Sequence, residues 1–188
     1  FPHLIKEYLA ANNNFGITIH LSDESDLLLD TGGGLKKASH FFKSPDPFVV
    51  LNSDIVSNIN LTKMIAQHKK TGALATLAVR NRESGRNFLF NANRQLCGWQ
   101  NTKEQKEILS RTGETLHPMA FSGIQVVSHH LFQYFPNEQV FSLVQLYLEA
   151  SKKEKIVAYE HNNDYWFDAG SVDKIQKIEQ FLGAGPKT

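Results

Sequence analysis

Asp30-Thr31-Gly32-Gly33-Gly34, followed by Phe48-Val49-Val50-Leu51-Asn52-Ser53-Asp54, is the stretch on which the reading of this chain turns. Three successive glycines leave no Cβ between the main chain and a flat ligand, so peptide N–H and C=O groups can reach it directly. The apolar run at 48–51 reads as a buried parallel strand. Asn52 and Asp54 then sit at its C-terminal end, where open α/β sheets bind ligands. Bare backbone and a carboxylate thus stand where a nucleotide and its metal would need them.

Outward from this stretch the periodicity alternates. Leu4, Ile5, Tyr8 and Leu9 have helical spacing within 3–13, and Asn12-Asn13-Asn14 ends that helix with residues that accept turn and left-handed conformations. Ile17, Ile19 and Leu21 alternate with polar residues, which predicts a strand, and the acidic 23–26 segment a loop. Leu35, Ala38, Phe41 and Phe42 suggest a short helix after a glycine loop, giving strand, loop, helix, strand by residue 51. Leu61 to Lys70 predicts a helix and Ala73 to Val79 a strand. The region of about 80–118 reads as an inserted hairpin built on Phe88-Leu89-Phe90 and Leu96-Cys97-Gly98-Trp99. Ala120 to Val127 predicts a strand interrupted at Ser122-Gly123, residues 142–151 a helix, and Ile156 to Tyr159 and Tyr165 to Phe167 strands. The closing helix has Ser171 as N-cap and faces Val172, Ile175, Ile178 and Phe181 or Leu182 inward, and Gly183-Ala184-Gly185-Pro186 reads as a frayed end.

At 188 residues with 41% apolar content the chain can bury one core, and one domain over 1–188 is the expectation. A formal net charge of +1 with no large basic block argues against nucleic acid as a partner. No apolar stretch reaches membrane-spanning length. The single cysteine, Cys97, excludes an intramolecular disulfide and a cysteine-rich zinc site, so a reducing, cytoplasmic setting is expected. The composition does not speak to oligomeric state.

Asp54 after one predicted strand and Asp168 after another, in Trp166-Phe167-Asp168-Ala169-Gly170, are candidate ligands of Mg²⁺, whose sites use one or two carboxylates with phosphates completing the shell. Each feature has a plain structural reading beside it: the glycines as a helix-entry loop, Asp54 as a turn or cap, Asp168 as an Asx turn. His20, His40, His68, His117, His129, His130 and His161 form no spaced set with a carboxylate partner and read as solvated or core-satisfied. Cys97 reads as packing. Arg80, Arg82 and Arg86, at the start of the insertion, could meet a phosphate or simply be solvated.

These residues resemble the sugar-1-phosphate nucleotidyltransferases, or nucleotide-sugar pyrophosphorylases. Leu29 to Leu35 is similar to the base-recognition loop of that family, Asn52-Ser53-Asp54 to its Asn-x-Asp metal motif, Phe121-Ser122-Gly123-Ile124 to its sugar-contacting Gly-Ile strand, and Trp166 to Ser171 to its Trp-x-Asp-x-Gly-Thr close. The Thr-Gly-Gly-Gly form is most similar to N-acetylmuramate-1-phosphate uridylyltransferases of cell-wall recycling, with mannose-1-phosphate guanylyltransferases next.

The resemblance implies an α/β, Rossmann-like three-layer nucleotidyltransferase (nucleotide-diphospho-sugar transferase) fold with a mostly parallel central sheet. It implies Mg²⁺-dependent transfer from a nucleoside triphosphate, UTP by preference, to a sugar 1-phosphate. Thr31, Gly32 and Gly33 would contact the nucleotide, Asn52 and Gly123 the sugar side, and Asp54 and Asp168 the metal, as the catalytic pair.

The family's opening strand, Gly-x-Gly-Thr-Arg loop and Pro-Lys pair have no counterpart here. The resemblance therefore implies a chain without its first βαβ segment and, on its own, without catalysis. Ser53 stands where Gly is common and Asp30 where Glu is common. A non-catalytic nucleotide-sugar-binding module is the competing reading. A glycosyltransferase is disfavoured by Asn52, which stands where an Asp-x-Asp motif needs its first aspartate.

Overall fold

The computed structural model describes residues 2–112 and 115–183. α1 (Pro2–Ala11) forms where the helical spacing predicts. It ends as the asparagines allow: Asn12 Nδ2 donates to the Tyr8 carbonyl at 2.8 Å, and Asn13 and Asn14 take left-handed φ of 49° and 48°. The alternation at 17–21 makes no strand. Strand periodicity needs a ladder partner, and among the described residues this segment has none, leaving Ile17 65% exposed.

The glycines are not in a loop; they open α2 (Asp30–Ala38). A Cβ on Gly33 would lie 2.0 Å from the Gln139 carbonyl oxygen, and one on Gly32 2.4 Å from the Phe141 ring. Glycine here, despite its cost of about 1 kcal/mol in a helix, lets α2 lie directly against the 139–141 backbone.

β1 (Phe48–Leu51) turns at Asn52–Asp54 into β2 (Ile55–Ser57). α3 (Leu61–Thr71) is capped by Asn60 Oδ1, which accepts the Lys63 amide at 2.9 Å, and stops at Gly72 in the left-handed region. β3 (Ala75–Arg80), β4 (Arg86–Phe90), β5 (Leu96–Asn101), β6 (Lys106–Leu109), β7 (His117–Val127), α4 (Leu143–Ser151), β8 (Ile156–Glu160), β9 (Trp166–Asp168) and α5 (Val172–Gly183) follow.

The larger sheet has the order β6-β5-β4-β7-β3-β8, with β1 also on β7. It is mixed rather than mostly parallel: β3–β8 is its parallel pairing and the others are antiparallel. β1 itself, read from its apolar run as a buried parallel strand, is antiparallel to β7 and half-buried. The run reflects packing of Phe48 and Val50 on one side and Val49 on the other, which does not specify strand direction.

The hairpin expected within about 80–118 is present at 86–101, and β6 widens it to three strands. β7 is not interrupted at Ser122-Gly123. It continues through them with a register shift, Leu77 facing Gln125 and Val79 facing Phe121.

The sheet is buried on both faces. Leu77, Val79, Phe88, Phe90, Leu146 and Tyr147 pack on the α2 and α4 side, and Met64, Ala78, Ile124 and Val126 on the α3 side. Each of the larger side chains contributes on the order of 2 kcal/mol by leaving water.

α5 departs from its predicted stripe. Only Ile178 of that helix is buried, while Val172 is 69% exposed. The helix packs against β9, where Phe181 meets Phe167 and Tyr165, rather than against the larger sheet. The expected frayed end falls at 183–186, of which 184–186 lie outside the described residues.

Candidate active site

Asp54 and Asp168 do converge, though not through the central sheet as the sequence suggested. β2 and β9 form a separate two-stranded antiparallel sheet in which Ile55 faces Asp168 and Ser57 faces Trp166. The Asp54 carbonyl accepts the Ala169 amide at 2.7 Å, and Ser57 Oγ donates to the Tyr165 carbonyl at 2.7 Å. A Cβ at Gly170 would lie 2.8 Å from Asp168 Oδ1 and 3.8 Å from Asp54 Oδ2, so those two oxygens stand within about 7 Å of each other.

Asp168 is held as an anion. The Lys174 ammonium, 2.8 Å from Oδ2, and then the Gly170 amide, donating to Oδ1 at 2.8 Å, keep its carboxyl below the usual range. Among the described residues no three His, Cys, Asp or Glu side chains gather as a metal set. Two hard carboxylates with room for phosphate oxygens fit Mg²⁺ rather than zinc.

Asn52 and Gly123 also meet. The Asn52 amide donates to the Gly123 carbonyl at 2.9 Å. Gly123, at φ +74°, would carry a Cβ 3.0 Å from both Asn52 Nδ2 and Ile55 Cγ1. Backbone conformation and space both demand glycine there.

Trp166 ties β9 to β7: its Nε1 donates to the Ser122 carbonyl at 2.8 Å. The Arg82 guanidinium lies 4.6 Å from the Trp166 ring centroid and donates to the Phe121 carbonyl at 3.2 Å. Burial, with Arg80 nearby, pulls the Arg82 pKa down, and Asp168 pushes it up. Under this layer His161 is buried, its Nε2 2.7 Å from Ser122 Oγ.

A cleft of about 640 Å³ opens beside Asp168, walled by Phe88, Trp99 and Phe121, with Arg82, Arg86 and Lys106 among its lining. The sequence marked Arg82, Arg86, Asp168 and the segment holding Phe121 but gave no role to Trp99, Lys106 or Lys174. A large aromatic next to Gly98 in an inserted segment was the available signal for Trp99.

Thr31, Gly32 and Gly33 lie elsewhere in the hydrogen-bond pattern. The Gly32 and Gly33 amides both donate to the Phe141 carbonyl, at 2.9 and 3.2 Å, and Thr31 Oγ1 accepts the Leu143 amide at 3.0 Å. Both glycines are buried, so their N–H groups serve the contact between α2 and the start of α4. A hollow of about 310 Å³ lined by Leu29, Gly33, Lys36, Lys37 and Gln139 opens beside them.

The histidines are placed as packing or solvated residues. His68 is buried with Nδ1 3.0 Å from Thr76 Oγ1, His129 Nε2 lies 3.1 Å from the Phe42 carbonyl, and His117 is exposed. Cys97 is buried.

This architecture is the nucleotide-diphospho-sugar transferase fold. HddC from Yersinia pseudotuberculosis, solved complexed with GMP-PN, shares it with a TM-score of 0.70 at 17% identity, over 95% of this chain and 74% of that one. Residues 2–88 match the family model described as Nucleotidyl transferase. The mannose-1-phosphate guanyltransferase of Gibberella zeae is 38% identical over 80 residues, 42% of this chain and 22% of that protein. The UTP–glucose-1-phosphate uridylyltransferase of Synechocystis is 26% identical over 196 residues, covering 95% of this chain and 48% of that protein. The chain spans about half the length, or less, of these curated relatives. No helix among the described residues is long and apolar enough to cross a membrane.

Proposed function

We propose that the protein transfers a nucleotidyl group from a nucleoside triphosphate to a sugar 1-phosphate, releasing pyrophosphate. The observation that carries this reading is the meeting of Asp54 and Asp168 across the β2–β9 pair, with Asp168 lining a cleft of aromatic and cationic side chains. In such a transfer a phosphate oxygen of the sugar bonds to the α-phosphorus while the α–β bridging bond breaks, and the electron pair leaves on pyrophosphate. Little covalent work falls to the protein, which positions the two anions and offsets their charge.

Asp54 and Asp168 would hold Mg²⁺, which when bound supplies charge neutralisation at the phosphates. Arg82, stacked on Trp166, sets a fixed positive charge beside them. Asn52 offers its exposed carboxamide to the sugar hydroxyls, and the sugar-side role of Gly123 is to leave room for that side chain. With the Gly32 and Gly33 amides committed to Phe141, recognition of the base falls to the Thr31 hydroxyl proton and the hollow beside Gly33.

UTP with N-acetylmuramate 1-phosphate, in the cytoplasm, is the proposed pairing, supported by the Thr31-Gly32-Gly33-Gly34 form of the loop. A guanylyl transfer to mannose 1-phosphate is the second reading, favoured by the Gibberella relative. A pyrophosphate-release assay across four nucleoside triphosphates, with and without each sugar 1-phosphate and Mg²⁺, separates them. Turnover that ignores the sugar phosphate refutes both.

A further inference from the structure

The stretch of β7 that carries the candidate site is held from outside the site. Leu77 faces Gln125 and Val79 faces Phe121, so Ser122, Gly123 and Ile124 of β7 stand opposite the single residue Ala78 of β3. Extra residues on one strand of an antiparallel pair make a bulge, which breaks the ladder locally and re-aims side chains. Three successive carbonyls at this bulge hold the site together. Phe121 accepts from the Arg82 guanidinium at 3.2 Å, Ser122 from Trp166 Nε1 at 2.8 Å, and Gly123 from the Asn52 amide at 2.9 Å.

With ladder bonds lost at the bulge, its shape depends on a side chain. Ser122 is fully buried, and its Oγ lies 2.7 Å from His161 Nε2. His161 follows β8, and β3 lies between β8 and β7, so this contact reaches across a strand. The far end is anchored in turn: the His161 amide donates to the Val79 carbonyl at 3.2 Å, and Asn162 Oδ1 accepts the Asn81 amide at 2.8 Å. His161 Nδ1 is buried without a hydrogen-bond partner among the described residues, the Asp164 carboxylate being 3.8 Å away. An imidazole that leaves one nitrogen unmatched is a costly residue for packing alone. Burial and Arg80 favour the neutral ring, which with its proton on Nδ1, toward Asp164, accepts the Ser122 hydroxyl at Nε2.

We propose that His161 is a positioning residue for nucleotidyl transfer, pinning the β7 bulge through Ser122 so that Arg82, Trp166 and Asn52 keep their places beside the acidic pair. This rests on the transferase reading above and deepens it. His161 itself touches no substrate. Its effect is on geometry, where a misplacement of about 1 Å costs up to about a hundredfold in rate.

Solvent exchange of the Trp166 indole hydrogen, followed by nitrogen-15 NMR of this chain, reads the pin, because that hydrogen is donated to the Ser122 carbonyl. His161→Phe and Ser122→Ala each speed the exchange severalfold, and the double variant no further, since the two residues act as one unit. His161→Gln, whose carboxamide keeps a partner for the Ser122 hydroxyl, restores most of the parental rate. Ile156→Val, a core truncation at the other end of β8, controls for lost stability and leaves the exchange unchanged. In the intact protein His161→Phe and Ser122→Ala lower kcat about tenfold. Parental exchange in both single variants, or faster exchange with unchanged kcat, overturns the proposal and leaves the transferase reading intact. Acceleration by Ile156→Val equal to that by His161→Phe also overturns it, marking the histidine as packing. Absence of transfer by the intact parent overturns both.

Discussion

The carbonyl oxygen of Asp54 receives the amide hydrogen of Ala169 at 2.7 Å, which fixes the backbone flanking one acidic residue to the backbone flanking the other. The two side chains are thereby set on neighbouring strand ends without needing contact of their own.

Asp54→Asn and Asp168→Asn each remove a charge from that junction without changing side-chain size. In the nucleotidyl-transfer assay of the intact protein each is expected to lower kcat by about a hundredfold or more, and the double variant to lose much less than the product of the two. Unchanged turnover in either single variant would remove that residue from the proposed metal pair. Circular dichroism should remain that of the parent, since Asp54 is exposed and Asp168 only half-buried.

Lys174→Met removes the ammonium that does most to hold the Asp168 carboxyl down and leaves the Gly170 amide in place. The Asp168 carboxyl should then titrate at higher pH than in the parent. Carbon-13 NMR of the side-chain carboxyl reads this directly. The depressed parental value means that any stability Asp168 contributes is present above its unfolded pKa and is lost as pH falls through the folded one.

Gly33→Ala and Gly34→Ala should diverge sharply although they are adjacent in one helix. The Gly33 Cβ meets backbone, the Gln139 carbonyl oxygen at 2.0 Å, and cannot be accommodated without separating α2 from the 139–141 segment. The Gly34 Cβ meets only the end of the Glu24 side chain, at 2.7 Å, which can swing away. Urea denaturation should show a loss of about 2–3 kcal/mol or more for Gly33→Ala. Gly34→Ala should stay within roughly 1 kcal/mol of the parent, helix propensity offsetting the displaced glutamate.

His68 and His161 are both buried, and burial pulls both below their ordinary value of 6.5. Arg80 deepens the His161 shift while Asp164, 3.8 Å from Nδ1, opposes it. The unfolded chain therefore binds more protons than the folded one as pH drops past about 6.5, and stability falls there, by up to about 1.4 kcal/mol per pH unit for each histidine. Denaturation midpoints between pH 7.5 and 5.5 should decline, and His68→Gln should flatten part of that decline. A midpoint constant over this range would contradict the neutral assignment.

What the sequence displayed and what it withheld divide along one physical line. Elements whose pattern is answered locally were legible: α1 and its asparagine end, α3, the β4–β5 hairpin, and α4. Elements whose identity depends on a partner far along the chain were not. Ile17, Ile19 and Leu21 alternate as a strand should, yet a strand is a relation and theirs is missing among the described residues. The glycine run reads as a loop because nothing nearby reveals that residues 139–141 will press against it. Asp54 and Asp168 could be nominated, but the small sheet that unites them is invisible in either segment alone.

The same small sheet sets an order of events in synthesis. Residues 55–57 wait for residues 166–168, whereas the β3–β8 pairing is complete by residue 160. A nascent chain can therefore assemble the whole larger sheet and still hold Asp54 alone. Docking of β8 beside β3 shortens the remaining closure to a brief segment, so the last strands can add at little entropic cost once they emerge. A chain clipped between His161 and Tyr165 would keep every strand of the larger sheet and lack the acidic pair, a folded product with its chemistry unwritten.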